Sequence, residues 1–295
     1  MIAIDWGTSS LRAYRLGADG AVLAQRSTAA ALLACQGRFD AVLAEQIDGW
    51  SDAHIVMAGM IGSRNGWREV PYVACPADAD AIAQGMLAFE APALPGRRLF
   101  IAPGLSHQPD AGTPEVMRGE ETQVLGLLGE LVGDGPHTLC LPGTHSKWIR
   151  VEAGRIVQFH TAMTGELFAL LTQHSLLGAL MDKEAGDDEA AFARGLEASR
   201  AAGGLPNQLF SVRTLGLFGA LSPAAAPSYL SGLLVGHELN GLAPAGGRVH
   251  LIGSASLTRR YERALAARGL QPVAHAEALT ARGLHRLARA RGLAD

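Results

Sequence analysis

Met1-Ile-Ala-Ile-Asp5-Trp-Gly-Thr-Ser-Ser-Leu-Arg12 opens the sequence, and its reading decides the fold. An apolar run ends on a single acid, and Gly7, Thr8, Ser9 and Ser10 then make a turn into a second strand, Leu11 to Leu16. Gly17-Ala18-Asp19-Gly20 reads as a hairpin turn and Ala21 to Gln25 as the returning strand. A Gly/Thr/Ser turn gathers backbone N–H groups and hydroxyls at one point, which suits phosphate oxygens. The carboxylate of Asp5 can hold a magnesium ion through water, because hard cations take oxygen ligands and keep much of their hydration. Alone, the stretch reads first as a plain hairpin.

A second copy changes that reading. Leu139-Cys-Leu-Pro-Gly143-Thr144-His145-Ser146-Lys147-Trp148 repeats the Gly-Thr-x-Ser spacing after an apolar strand and before a short one, Lys147 to Val151. A turn at Ala153-Gly154 and a strand from Ile156 to His160 complete the echo. Two copies of one unit imply two similar half-domains, each presenting a hydroxyl-rich turn. Facing each other across a cleft, such turns would grip a polyphosphate from both sides.

The paired turns resemble the two phosphate elements of the actin-like ATPase and sugar-kinase superfamily, and the chain is similar to the bacterial 2-dehydro-3-deoxygalactonokinase family in particular. The resembling segments are Asp5-Trp-Gly-Thr-Ser, Gly59-Met-Ile-Gly-Ser-Arg-Asn-Gly-Trp67, Val116-Met-Arg-Gly-Glu-Glu-Thr-Gln123, Leu141-Pro-Gly-Thr-His-Ser-Lys-Trp148, Met163-Thr-Gly-Glu166 and Ser228-Tyr-Leu-Ser-Gly-Leu-Leu234. The resemblance implies an α/β protein of two actin-like (ribonuclease H-like) lobes, residues 1–136 and 137–295, with an ATP and substrate cleft between them. It implies ATP and Mg²⁺ as cofactors, phosphates held by Gly7–Ser10 and Gly143–Ser146, and adenosine near Gly253 and Ser254. Arg12 and Lys147 are candidates to neutralise phosphate charge and His145 to donate a hydrogen bond; either cation reads equally as solvated. The acceptor implied is 2-dehydro-3-deoxy-D-galactonate, phosphorylated on its C6 hydroxyl in galactonate catabolism. A kinase for another 2-keto-3-deoxy acid and a non-catalytic nucleotide-gated binding protein are the competing readings.

Kinases of this superfamily carry a general base just before a helix, some twenty residues upstream of the second phosphate turn. Glu120 and Glu121 occupy that place, where adjacent acids are also simple dipole-stabilising residues. The larger sugar kinases have Asp-Gln here; the departure leaves open which glutamate is the base. Glu121→Gln is expected to cost more activity than Glu120→Gln, because adjacent residues at a helix start point about 100° apart and only one should face the acceptor. The loop Gly59 to Trp67 follows the strand His54 to Met57, and ligands in open α/β sheets bind beyond the carboxyl ends of strands. Arg64, with Trp67 and Tyr72, supplies a pocket wall with one strong anion donor. Arg118, beside the candidate base, is the alternative reader of a substrate carboxylate, and Trp6 and Met60 in the resembling segments join the substrate-side candidates.

The remaining chain is expected to be scaffold. Ala29 to Trp50 reads as mostly helical, Asp182 to Ala202 as an exposed helix, and Leu209 to Arg213 as a packed segment. Thr164 is the expected N-cap of one helix and Ser228 of another, while Glu166 reads as a first-turn acid that could touch substrate. Arg248 to Ile252 is a strand, Gly253-Ser254 leads into a helix, and Ala276 to Arg291 is a final basic helix. At 295 residues, 48% apolar and 18% charged, the chain describes a soluble globular protein with ample core. A net charge of −3 leaves no basic footprint for nucleic acid. The sequence holds no apolar run of ~18 residues for a membrane span, and no basic leader is read at its start. Cys35, Cys75 and Cys140, odd in number and far apart, read as reduced thiols in a cytoplasmic protein. The partners expected are a small sugar acid and ATP, and nothing opposes a homodimer.

Overall fold

Ile2, Ala3 and Ile4 are apolar on both faces of the chain, and such continuous runs stabilise strands covered on both sides. They form β1 (Ile2–Trp6), which is buried except at Asp5, in the computed structural model of the protein. That model describes residues 1–29, 32–133, 135–275 and 279–294, and the backbone alone of residues 33 and 34. β2 (Leu11–Leu16) returns antiparallel with Asp5 opposite Arg12, and β3 (Val22–Thr28) pairs with β2. Between Ala29 and Trp50 the expected helix is shorter: a 3-10 turn, Leu32–Cys35, precedes α1 (Phe39–Gln46). Gln36 and Gly37 separate them at φ 47° and 82°, values no right-handed helix accommodates.

β4 (His54–Ala58) lies parallel to β1 with Ala58 opposite Asp5. The chain continues through β5 (Val73–Ala74), α2 (Ala79–Gln84), β6 (Leu87–Phe89) and β7 (Arg98–Ile101), then β8 (Leu105–His107), β9 (Glu115–Met117) and α3 (Glu120–Leu127). The main sheet runs β3-β2-β1-β4-β7-β6, and β5, β8 and β9 make a small separate sheet. Ile4, Trp6, Leu43, Ile55, Met57, Leu99 and Ile101 meet in one core.

The second sheet is built from β10 (His137–Leu141), β11 (Ser146–Glu152) and β12 (Arg155–Ala162), and later from β13 (Arg248–Ile252) and β14 (Gln271–His275). Its order is β12-β11-β10-β13-β14. Setting aside β6, an antiparallel edge strand paired with β7, the strands of both sheets run third, second, first, fourth, fifth, so the duplication expected from the Gly-Thr turns is a duplication of topology. This is the α/β arrangement of the actin-like, ribonuclease H-like class. Between β12 and β13 come α4 (Thr164–His174), α5 (Glu189–Ala198), α6 (Gly204–Leu217) and α7 (Ala226–Leu242). α8 (Ala255–Ala266) follows β13, and α9 (Leu279–Ala290) follows β14.

The chain packs as two compact units, one of residues 1–136, 150–159 and 276–295, the other of 137–149 and 160–275. The division expected after residue 136 assigned all of 137–295 to one lobe. α9 instead returns to the first unit, against α3, α2 and β1, because its Leu284 and Leu287 need apolar cover and are fully buried there. The 182–202 stretch is likewise no exposed bystander: α5, capped by Asp188 onto the Ala191 N–H, buries Ala191, Phe192 and Gly195, and it packs on α7. Thr164 is the first helical residue of α4, after Met163. Ser228 lies inside α7, and its hydroxyl accepts the Asp188 N–H at 2.9 Å. Among the described residues no helix is long and apolar enough to cross a membrane.

Candidate active site

In the first unit the site grows from the carboxyl end of β1. The Gly7 N–H donates to the Ser10 carbonyl at 3.0 Å and closes the turn, leaving Thr8 and Ser9 exposed. Asp5 is 23% exposed, and Arg12 across the hairpin brings its Nη1 within 3.9 Å of the carboxylate. Gly59 follows β4 at φ 95°; a Cβ there would stand 2.8 Å from the Trp6 carbonyl, so only glycine lets this loop lie against β1. Burial raises the Asp5 pKa, Arg12 lowers it, and the charge of Glu120 raises it again. Asp5 and Glu120 are therefore electrostatic neighbours.

The two candidate bases differ sharply. Glu120 is half-buried, and its Oε2 accepts the Arg118 N–H at 3.0 Å. Glu121 is fully buried. Its Oε2 accepts the Gly119 N–H at 2.6 Å, while its Oε1 meets no donor among the described residues. Burial first, then the charge of Glu120, pushes the Glu121 pKa up to about 8, which keeps it protonated at neutral pH.

The substrate-side candidates separate too. Trp6 is fully buried and packs edge-on against Phe39 at 5.9 Å, so its side chain belongs to the core and walls no site. Trp67 also packs inward, stacked on Phe39. Met60 is half-buried against that same core. The Arg64 side chain is 87% exposed, 3.6 Å from Glu69. Arg118 lies over the Tyr72 ring at 4.5 Å, and its Nη2 donates to the Val70 carbonyl at 2.7 Å. Its buried Nε and Nη1 meet no acceptor among the described residues.

In the second unit the hydroxyl-rich turn follows β10. His145 Nε2 and Glu166 Oε2 lie 2.5 Å apart, and the Glu166 N–H donates to the Thr144 carbonyl at 3.0 Å. The start of α4 thus rests on the turn. Gly165 makes that possible, since a Cβ on it would collide with the Gly143 carbonyl. Ser146 and Lys147, expected at the phosphates, point inward: Ser146 is fully buried, and Lys147, 5% exposed, donates to the Thr161 hydroxyl at 2.8 Å. Their place in β11, buried at four successive positions, explains the inward turn. Gly253 follows the neighbouring strand β13, and a Cβ on it would stand 3.3 Å from the Pro142 carbonyl. Beside the turn opens a mainly apolar pocket, lined by Gly143, Gly165, Phe168, Leu234, Leu257 and Arg260 among others.

One functional-looking residue escaped the sequence reading. Glu238 is 6% exposed in the middle of α7 and accepts hydrogen bonds from Trp148, Thr164 and Tyr261. Its signal was available: a lone carboxylate inside Leu230-Ser-Gly-Leu-Leu-Val-Gly-His-Glu-Leu239, a run too apolar to hold an unpaired charge.

The model of the 2-keto-3-deoxy-galactonokinase family matches residues 5–287. A Rhizobium meliloti (strain 1021) protein, provisionally named a 2-dehydro-3-deoxygalactonokinase, is 41% identical over 280 residues, 91% of this chain and 89% of the relative. The 2-dehydro-3-deoxygalactonokinase of Escherichia coli (strain K12) is 36% identical over 282 residues, covering 93% and 92%. A crystal structure of a Sinorhizobium meliloti protein, provisionally named as the same kinase, superposes with a TM-score of 0.88 at 36% identity over 98% of both chains. With the duplicated sheets and both hydroxyl-rich turns in place, the chain belongs to the 2-keto-3-deoxy-galactonokinase family, and it is a carbohydrate kinase.

Proposed function

We propose that the protein transfers the γ-phosphoryl group of ATP to the C6 hydroxyl of 2-dehydro-3-deoxy-D-galactonate, releasing ADP and the 6-phosphate in galactonate breakdown. The names of the relatives support the acceptor. The observation that carries the chemistry is that Glu120, accessible and electrostatically coupled to Asp5, stands where α3 begins. Glu120 takes the proton of the acceptor hydroxyl as its oxygen bonds to phosphorus and ADP departs. Phosphoryl transfer asks little covalent chemistry of a protein; positioning and charge stabilisation dominate. Glu121, buried and protonated, supports the helix start instead.

Asp5 fits a magnesium site reached through water. It is a partly exposed carboxylate with Glu120 as an electrostatic neighbour, and magnesium commonly takes one or two carboxylates while keeping its waters. Bound there with ATP, the ion supplies charge neutralisation to the phosphates. Thr8 and Ser9 offer hydroxyls to phosphate in the first unit; in the second Thr144 offers a hydroxyl and His145 a ring N–H. The pocket beside Gly143 suits adenine, being apolar with few polar groups. Arg118 is the carboxylate reader: a guanidinium with two buried, unsatisfied edges is poised for an anion, whereas Arg64 is already solvated. The reading sets the reaction in the cytoplasm, in keeping with three cysteine thiols.

A panel of 2-keto-3-deoxy acids with Mg-ATP tests this through ADP release. Turnover confined to the galactonate-derived acid, with the product phosphorylated at C6, is expected. Preference for the gluconate epimer would reassign the substrate, and nucleotide binding without turnover on any acid would sink the kinase reaction.

A further inference from the structure

Four elements of the second unit meet at one buried carboxylate. Glu238 Oε1 accepts the Trp148 indole N–H at 2.8 Å; Oε2 accepts the Tyr261 hydroxyl at 2.7 Å and the Thr164 hydroxyl. Tyr261 has one proton and gives it to Glu238. The Ser146 hydroxyl, 3.1 Å away, therefore donates to the tyrosine oxygen. Three donors end on the carboxylate, and Ser146 reaches it through the tyrosine hydroxyl. A carboxylate accepts at about four lone-pair sites and offers no donor, so no other side chain could satisfy this set.

The partners are not arbitrary. Ser146 and Trp148 belong to β11, immediately after the turn Gly143–His145. Thr164 begins α4 and precedes Gly165, whose backbone presses on Gly143. Tyr261 lies on α8 and lines the pocket next to Gly143, as Thr164 does. Both flanks of the turn and one wall of the pocket are thereby tied to a residue that is not itself part of the lining.

We infer that Glu238 is the positioning residue of the second phosphate turn, fixing turn, α4 and α8 as one preformed cradle for the adenine nucleotide. This rests on the reading of that turn and pocket as the nucleotide's. The geometry explains a buried charge that hydrophobic packing would not select: burial raises the pKa of Glu238, and hydrogen bonds from Thr164, Tyr261 and Trp148 pull it back. Breaking such a cluster by removing one partner leaves polar groups unsatisfied, so its members act as a unit.

The test uses the full-length protein and reads ADP binding by calorimetry beside steady-state kinetics. Glu238→Gln keeps the shape but places amide protons against two hydroxyl donors. It is expected to weaken ADP binding and raise KM for ATP by about tenfold or more, while KM for the sugar acid moves by less than about twofold. Tyr261→Phe keeps the ring that lines the pocket and deletes only the hydroxyl; it should reproduce part of the loss, and the double variant should be no worse than Glu238→Gln. The Trp148 indole N–H resonance should move in Glu238→Gln. Wild-type ADP affinity in Tyr261→Phe and, if it folds, in Glu238→Gln would overturn the inference. If the wild type binds ADP and phosphorylates the acid while those variants bind normally, only this inference falls. If the wild type binds no adenine nucleotide, this inference falls with the reading of the turn.

Discussion

A single carboxylate at a strand end and two at a helix start carry most of the residue-scale consequences. Asp5→Asn should nearly abolish turnover at saturating Mg-ATP, because a neutral amide is a poor partner for a metal's hydration shell. Its melting temperature should hold, since burial already disfavours the charged form of Asp5. Glu120→Gln should lower kcat by roughly 10²–10⁴-fold, the usual size of a general-base contribution. Glu121→Gln should be far milder in rate and instead change the pH dependence of stability. Its pKa is about 8 folded against an ordinary 4.5, so between those values the native state holds the extra proton and stability falls as pH rises. Thermal melts from pH 4.5 to 8.5 should fall more steeply for wild type than for Glu121→Gln; parallel curves would remove Glu121 from that account. Arg118→Ala should raise KM for the sugar acid strongly with little change for ATP, and Arg64→Ala should do neither. Arg118→Lys should rescue incompletely, because lysine keeps the charge and loses the planar fork. Sequence placed both arginines near the substrate and put Arg64 first, whereas the structure favours Arg118. The ranking depends on which guanidinium is covered, and Tyr72 and Val70 do the covering from a loop with no regular period.

Elements explain what could and could not be read in advance. The strands β1, β10 and β13 were legible because apolar runs bounded by Gly-Thr or Gly-Ser have few other readings. Helix ends were less so: Thr164 is a good capping residue, yet its hydroxyl serves Glu238 and the helix starts one residue early. Which of Glu120 and Glu121 faces outward was not legible either, since successive helix residues point about 100° apart. The answer depends on the burial of one face of α3, and the helix packed on it, α9, arrives some 150 residues later in sequence. Leu284 of α9 is fully buried. Leu284→Ala should therefore destabilise the protein by about 2–5 kcal/mol in denaturant titration. A loss under about 1 kcal/mol would mean that α9 contributes little to the core.

At the scale of the whole molecule, two units of like topology are threaded so that neither is a continuous piece of chain. The first is interrupted twice by the second, at 137–149 and at 160–275, and its last piece holds α9. A chain stopped before Leu279 should show proteolytic cutting within α3, while fragments of 160–275 stay protected; protection of both would contradict the packing of α9. The same threading governs synthesis. A ribosome delivers β1 and the acid-bearing helix early, and the helix that covers them emerges only after every strand of the second unit has been made. Until then the apolar side of α3 has no cover in the nascent chain. The part of this kinase that holds α3 must wait, open and in need of protection from aggregation, for α9 to cover it.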